Sequence, residues 1–276
     1  MNKFSLIFII LIVLGFMFCF VGGTGISENI EIGVVFSQKQ SKLLGLDWKK
    51  NYSELLNIFN NINIKTSWDL IEKENNIFSF KDLDLQVNQA HGKKIMLTIG
   101  DCDLPQWTES LGQDSLNYIH TILLRYEDSP NIFMWELGFD DCLDKDLINR
   151  QIEFIRNNSK KPINTKRFIV SKKIYIPKFD LYIPNLLNPA FYNRKSFLMD
   201  KNVVVEIQGQ PIGKIYEMSE QEQERFMDLE LFKRNLEFAK KTGLNTFCIS
   251  GGEWWYLLKT RYKKSEILDF VESINK

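Results

Sequence analysis

Asn202-Val203-Val204-Val205-Glu206-Ile207-Gln208-Gly209-Gln210-Pro211 decides how this chain is read. Three valines run into a glutamate, and the segment then meets glycine and proline. A β-branched apolar run bounded by turn formers reads as a buried strand, here over Val203–Glu206. It ends in a carboxylate, which costs stability at a buried strand end unless it is paired or used. Glu206 therefore asks for a chemical partner.

The same kind of run recurs on both sides. Ile30–Phe36, Asn63–Trp68, Lys94–Gly100 and Asn131–Gly138 read as strands one to four. Phe168–Val170 and Asp180–Ile183 read as strands five and six, Val203–Glu206 as seven and Thr246–Ser250 as eight. Helical stripes lie between them: Leu55, Ile58, Phe59 and Ile62; Leu116, Ile119, Leu123 and Tyr126; a helix around 146–158; and Phe226, Leu229, Leu236 and Ala239. Asp82 is read as the cap of a helix that stops near Gly92, Ser219 with Glu222 as a capping box, and Ser265 as the start of a last helix. Alternating strands and helices imply a mainly parallel sheet. Eight such units predict an α/β fold, a (β/α)8 TIM barrel, and about 250 residues is a usual size for one. An open doubly wound sheet is the competing arrangement, but no GxGxxG follows the first strand to support it.

Basic and acidic residues number 35 each, so no basic surface points to nucleic acid. Residues 4–23 carry no charge, and about 20 apolar residues suffice to cross a bilayer. Lys3 before the run and Glu28 and Glu31 after it favour an N-terminus inside and the rest outside. Gly22 to Gly25 offers small residues to a signal peptidase. Residues 1–25 are therefore expected to be a membrane anchor or a signal peptide. The barrel, residues 26–276, is expected on the extracytoplasmic side, tethered to the cell membrane or secreted. Cys102, Cys142 and Cys248 fall in that exported part; their number is odd and no CxxC occurs, so neither a disulfide framework nor a zinc cluster is indicated. With His91 and His120 as the only histidines, a His-based metal site or a Ser-His-Asp triad has little material. No metal and no organic cofactor is expected.

In a parallel barrel the active site lies at the C-terminal ends of the strands. The residues that follow each run are Lys65, Trp68 and Asp69; Asp101, Asp103 and Trp107; Phe139, Asp140 and Asp141; Tyr182; Glu206 and Gln208; and Glu253, Trp254 and Trp255. A rim of carboxylates and indoles suits a sugar, whose C–H faces stack on aromatic rings while carboxylates and amides bind its hydroxyls. The same tryptophans equally fit a plug for the barrel end. Glycoside hydrolysis needs two carboxyl groups flanking the bond, one to give a proton and one to attack or to activate water. Strands four and seven face each other across a closed barrel, which makes Asp140 and Glu206 the natural pair. Trp68, Trp107, Asp141, Tyr182, Gln208, Glu253, Trp254 and Trp255 are the candidate substrate contacts.

Short stretches in a fixed order add to this reading. They are Leu44-Gly45-Leu46-Asp47-Trp48, Trp68-Asp69-Leu70-Ile71-Glu72, Phe80-Lys81-Asp82-Leu83-Asp84, Leu104-Pro105-Gln106-Trp107, Arg125-Tyr126, Ser129-Pro130-Asn131-Ile132, Asn188-Pro189-Ala190-Phe191-Tyr192, Val205-Glu206-Ile207-Gln208, Gly243 and Gly252-Glu253-Trp254-Trp255-Tyr256. Together they resemble the cellulase-like, clan A glycoside hydrolases, nearest a bacterial family 5-like branch. The resemblance implies a barrel, a carbohydrate substrate, no cofactor, and a retaining mechanism with Glu206 as nucleophile. Its strand-four pattern, Trp-x-x-x-Asn-Glu-Pro, departs here to Trp135-Glu136-Leu137-Gly138-Phe139-Asp140-Asp141. Phe139 replaces the Asn that binds the sugar 2-hydroxyl, and Asp140 replaces the acid/base Glu with a side chain one methylene shorter. Lys65 stands where the group carries an Arg, and a lysine offers a point charge, not a planar fork. Gln210 stands for a second Glu, and an arginine expected near Asp101 to Leu104 is absent. A catalytically inactive relative that binds glycans or a protein partner is the alternative these departures raise.

Overall fold

The computed structural model describes residues 30–108, 110–138, 145–164, 169–170, 173–176, 181–184, 205–241 and 245–275. In chain order its strands are β1 (Glu31–Ser37), β2 (Asn61–Lys65), β3 (Glu72–Glu74), β4 (Ile77–Phe78), β5 (Lys94–Ile99), β6 (Ile132–Leu137), β7 (Ile163–Asn164), β8 (Ile169–Val170), β9 (Lys173–Ile176), β10 (Leu181–Pro184), β11 (Val205–Gln208) and β12 (Thr246–Ser250). Eight of them form one sheet in the order β7-β6-β5-β2-β1-β12-β11-β8. Every neighbouring pair in it is parallel. The order is cyclic: read around the ring it follows the chain, and the two ends, β7 and β8, are consecutive in sequence. A parallel sheet with that order and with helices in its crossovers is an α/β, TIM-barrel-like fold.

Side-chain alternation along each strand sorts the core into two parts. Val34, Phe36, Ile62, Ile64, Leu97, Ile207, Phe247 and Ile249 point outward and are buried in one apolar cluster with Tyr52, Leu55, Tyr118, Phe232 and Leu236 of the helices. The opposite positions Val35, Met96, Met134 and Cys248 form a second, smaller cluster inside the ring. Because β11 alternates in the same way, Ile207 goes to the outer core while Glu206 and Gln208 face the ring interior.

Several elements differ from the expectation. The fifth sheet strand is Ile163–Asn164, and Ile169–Val170, expected as the fifth, is the sixth. The stretch expected as strand six is not in the sheet: Leu181–Pro184 pairs antiparallel with Lys173–Ile176 as a separate hairpin. A two-residue strand is too short to show a period, whereas the short apolar run of the hairpin imitates a sheet strand. Ile62 belongs to β2 and not to the preceding helix, which ends at Ile58. Asp82 lies in the first turn of the helix Lys81–Gln89, whose N-cap is Phe80. The stripe from Phe226 to Ala239 is two helices, Glu220–Phe226 and Leu229–Lys240, because Asp228 caps the second by accepting from the Leu231 N–H at 2.6 Å. The Ser219–Glu222 capping box forms as read. Cys102 is disulfide-bonded, and Cys248 is a buried free thiol.

No helix among the described residues is long and apolar enough to cross a membrane. The expected anchor or signal, residues 1–25, lies outside them.

Candidate active site

Lys65 closes β2 and Glu206 is the second residue of β11, and both point into the ring. The Lys65 Nζ is 3.7 Å from Glu206 Oε2, and the Glu206 side chain is only 11% exposed. At that distance the contact is an ion pair and not a tight hydrogen bond. It supplies a positive charge beside a carboxylate that the strand has drawn out of water. Gly209 lets the chain leave this strand close to β12: a Cβ there would stand 2.4 Å from the Ser250 carbonyl oxygen.

A further carboxyl group stands near the pair, and another lies past the end of β5. Glu253 follows β12 at the start of the helix Gly252–Leu257 and accepts a hydrogen bond from the Ser37 N–H at the end of β1. Burial pushes its carboxyl up to about 7, the charge of Glu206 adds to the rise, and the Ser37 bond and Lys65 oppose it. Asp101, just past β5, is pushed up to about 6, again mainly by burial, with the Ser67 hydroxyl and Lys39 opposing and Asp103 and Asp69 adding. Lys39 bridges the outer carboxylates, 2.6 Å from Asp69 and 2.9 Å from Asp103.

Below the rim lies a polar floor. Glu136 of β6 accepts from Asn63 at 2.9 Å and Thr98 at 2.6 Å through Oε2, and from Asn164 at 3.0 Å through Oε1. All four side chains are buried. Barrel interiors are usually filled by branched aliphatic residues, so this layer is unusual in being held by a carboxylate. The Cys248 thiol sits close enough to Glu136 and Glu206 for both charges to raise its pKa beyond the effect of burial. Among the described residues no group of His, Cys, Asp and Glu side chains could hold a metal ion.

No protein-family model matches this sequence, and no curated protein matches it. Solved structures match its shape. A GH5_18 protein from Bifidobacterium longum subsp. longum, in complex with Manβ1-4GlcNAc, superposes with a TM-score of 0.53 over 80% of this chain and 68% of its own, at 11% identity. Xylanase 10B from Thermotoga maritima gives 0.46 over 80% and 70%, at 17% identity. A family 39 glycoside hydrolase from Bacteroides cellulosilyticus gives 0.48 over 80% and 56%, at 12% identity.

The fold is a TIM barrel of the kind that the GH5_18 protein has.

In this barrel the seventh strand of the ring is β11, which carries Glu206 and Gln208. The fourth is β6, described to its end at Leu137 and on to Gly138, where a Cβ would meet the Gly100 carbonyl oxygen at 2.1 Å. Asp140 and Asp141, like Phe139, lie outside the described residues. Lys65, Glu206 and Glu253 are brought together. Gln208 is buried, donates to the Gln210 carbonyl at 3.0 Å, and leaves its own Oε1 without a hydrogen-bond partner among the described residues.

The tryptophans stand elsewhere than at an open rim. Trp68 is fully buried, stacked on Tyr118 with centroids 5.2 Å apart, and its indole donates to Glu72 at 2.8 Å. Trp254 donates to Gln223 at 2.9 Å and Trp255 to the Gly209 carbonyl at 2.8 Å, both inside the apolar core. These three are packing residues that lock the strand ends. Trp107 is partly exposed, edge-on to Trp68, and donates to the Glu72 carbonyl at 3.0 Å. Tyr182 lies on β10 opposite Tyr175, in the hairpin and off the sheet. Glu253 is 3% exposed, beneath the rim and not on it. Sequence reasoning passed over Glu136, although its setting, a carboxylate inside the apolar run Ile132–Leu137, is the signal that singled out Glu206.

Proposed function

We propose that this protein acts on carbohydrate as a retaining glycoside hydrolase, with Glu206 as nucleophile and Asp140 as acid/base. Glu206 carries the reading: it is an inward carboxylate on the seventh strand of the barrel, charge-compensated by Lys65 at 3.7 Å. The disaccharide Manβ1-4GlcNAc held by the Bifidobacterium longum neighbour supports carbohydrate as the ligand class. In the first step a Glu206 oxygen forms a bond to the anomeric carbon as the glycosidic C–O bond breaks, and Asp140 gives its proton to the departing oxygen. In the second, Asp140 takes a proton from water, the water oxygen bonds to the anomeric carbon, and Glu206 is released. Lys65 offsets the Glu206 charge at both ends of the cycle. We further propose export, with residues 4–23 as a membrane tether or, if cleaved, as a signal. The charge-free run and the Cys102 disulfide, a bond of oxidising compartments, support this.

The test is trapping by a panel of activated 2-deoxy-2-fluoro glycosides of the gluco, manno and xylo series. Intact mass should rise by one fluoroglycosyl unit in the wild type and not in Glu206→Gln, with the label mapped to Glu206. Turnover of matching nitrophenyl glycosides should fall at least about a thousandfold in that variant, the scale of losing a nucleophile. Turnover that persists in Glu206→Gln, or a label on another residue, sinks the assignment. Glycan binding without any turnover or labelling selects a non-catalytic binder.

A further inference from the structure

A cavity of about 470 Å³ opens beside the Lys65–Glu206 pair, between the end of β2 and the helix Lys81–Gln89. Its charged lining is one-sided: Lys42, Lys65, Lys73 and Lys81 against the single carboxylate Asp82. Two of these lysines are compensated. Lys65 pairs with Glu206 at 3.7 Å and Lys42 with Asp82 at 3.6 Å. The ammonium groups of Lys73 and Lys81 make no ion pair or hydrogen bond among the described residues, and both side chains are exposed at the mouth. The wall offers an acceptor as well. Gln86 is 2% exposed; its amide donates to the Asp82 carbonyl at 3.2 Å, and its buried Oε1 has no hydrogen-bond partner among the described residues. A buried acceptor left unpaired carries a desolvation penalty that a ligand hydroxyl can remove. Two uncompensated cations at the mouth and an unpaired buried acceptor in the wall call for a ligand with both an anionic group and hydroxyls. A neutral sugar answers only the second demand.

We propose that this pocket takes the anionic unit of an acidic glycan, a sugar bearing a carboxylate or a sulfate, and sets it next to Glu206. The inference rests on the carbohydrate reading above and adds the charge class of the substrate. Lys73 and Lys81 hold the anion as point charges, the Gln86 Oε1 takes a ring hydroxyl, and Lys65 is common to the pocket and the nucleophile. The cavity walls exclude part of the solvent, which strengthens the attraction over that of the same lysines on an open surface.

The test is calorimetric titration of the full chain in detergent with three sets of probes: trigalacturonate for the carboxylate, a carrageenan-derived sulfated galactan oligosaccharide for the sulfate, and neutral gluco-, manno-, xylo- and galacto-trisaccharides. One anionic probe should bind at least tenfold tighter than every neutral one, and which probe binds identifies the group. Its affinity should fall severalfold between 50 and 300 mM salt, as screening predicts. The double variant Lys73→Gln/Lys81→Gln should lose at least tenfold for that probe, and each single variant part of it. Both lysines are exposed, so an unchanged melting temperature verifies the fold. Equal binding of neutral and anionic probes overturns the inference and leaves the carbohydrate reading standing, as does an anionic preference that the double variant leaves intact. Binding of no oligosaccharide overturns the carbohydrate reading and this inference with it.

Discussion

Glu253 is a carboxyl group that folding takes out of water and sets near another carboxylate. Its ordinary value of 4.5 rises to about 7 in the folded chain. Below pH 4.5 the folded and unfolded chains both hold the proton and nothing depends on pH. Between 4.5 and 7 the unfolded chain releases it while the folded chain keeps it, so stability falls as pH rises; above 7 the loss is complete. The full effect is about 3 kcal/mol, which in a chain of this length moves Tm by roughly 5–10 °C. Asp101 acts with the same sign at lower pH, between its ordinary 3.8 and about 6. The variant Glu253→Gln keeps an acceptor for the Ser37 N–H and removes the titration. Thermal melts at pH 5 and pH 8 should therefore show a smaller drop in the variant than in the wild type, by that margin. Parallel melting curves would mean that Glu253 does not titrate in this range.

At the scale of elements, one side chain ties four strands. Glu136 of β6 receives hydrogen bonds from Asn63 of β2, Thr98 of β5 and Asn164 of β7. While the Thr98 hydroxyl keeps Asn63 Oδ1 at 2.6 Å, Glu136→Ala takes the carboxylate acceptor from two buried amide donors and opens a cavity. It should cost about 3–5 kcal/mol in urea unfolding, the range for breaking one side of a buried charged network. Glu136→Gln keeps one acceptor oxygen and should cost less. A loss under about 1 kcal/mol for the alanine variant would show that water replaces the carboxylate and that the floor is not rigid. The strands joined here also show what a sequence can and cannot carry. β1, β5, β6 and β12 are five to seven residues long and dense in apolar residues, so their existence and order were readable. β7 and β8, two residues each, owe their pairing to neighbours and not to any local pattern. The hairpin strand Leu181–Pro184 is a short apolar run like a sheet strand, and nothing in the sequence says that its partner is Lys173–Ile176. In the site, Glu206 and Lys65 were legible because a charge at the end of an apolar run is conspicuous. The burial of Trp254 and Trp255 was not, because it depends on Gln223 and the Gly209 carbonyl reaching them from distant segments. The lysine pocket was hidden for the same reason: Lys42, Lys65, Lys73 and Lys81 sit on four different elements and meet only through the fold.

Across the whole molecule, the first and last strands of the sheet are neighbours. β12 lies between β1 and β11, and Glu31 to Val34 pair in register with Thr246 to Ile249. Among the described residues the outer apolar core is one cluster that runs from Val34 to Val271. A chain built this way gains little from its early strands until the last one is in place, because the β1–β12 ladder closes a loop of more than two hundred residues. Ending the chain at Lys240 removes β12 and the helices that carry Trp255, Ile267 and Val271. It also leaves β1 and β11 as bare edges, and exposed apolar edges pair with other chains. The full chain should melt in one cooperative transition. The shortened chain should show no transition in circular dichroism and should elute as aggregate, with the loss not rescued by low temperature. A truncated chain that stays monomeric and melts cooperatively would mean that the seven remaining sheet strands are stable on their own, and that the closing strand serves the Lys65–Glu206 site and not the fold.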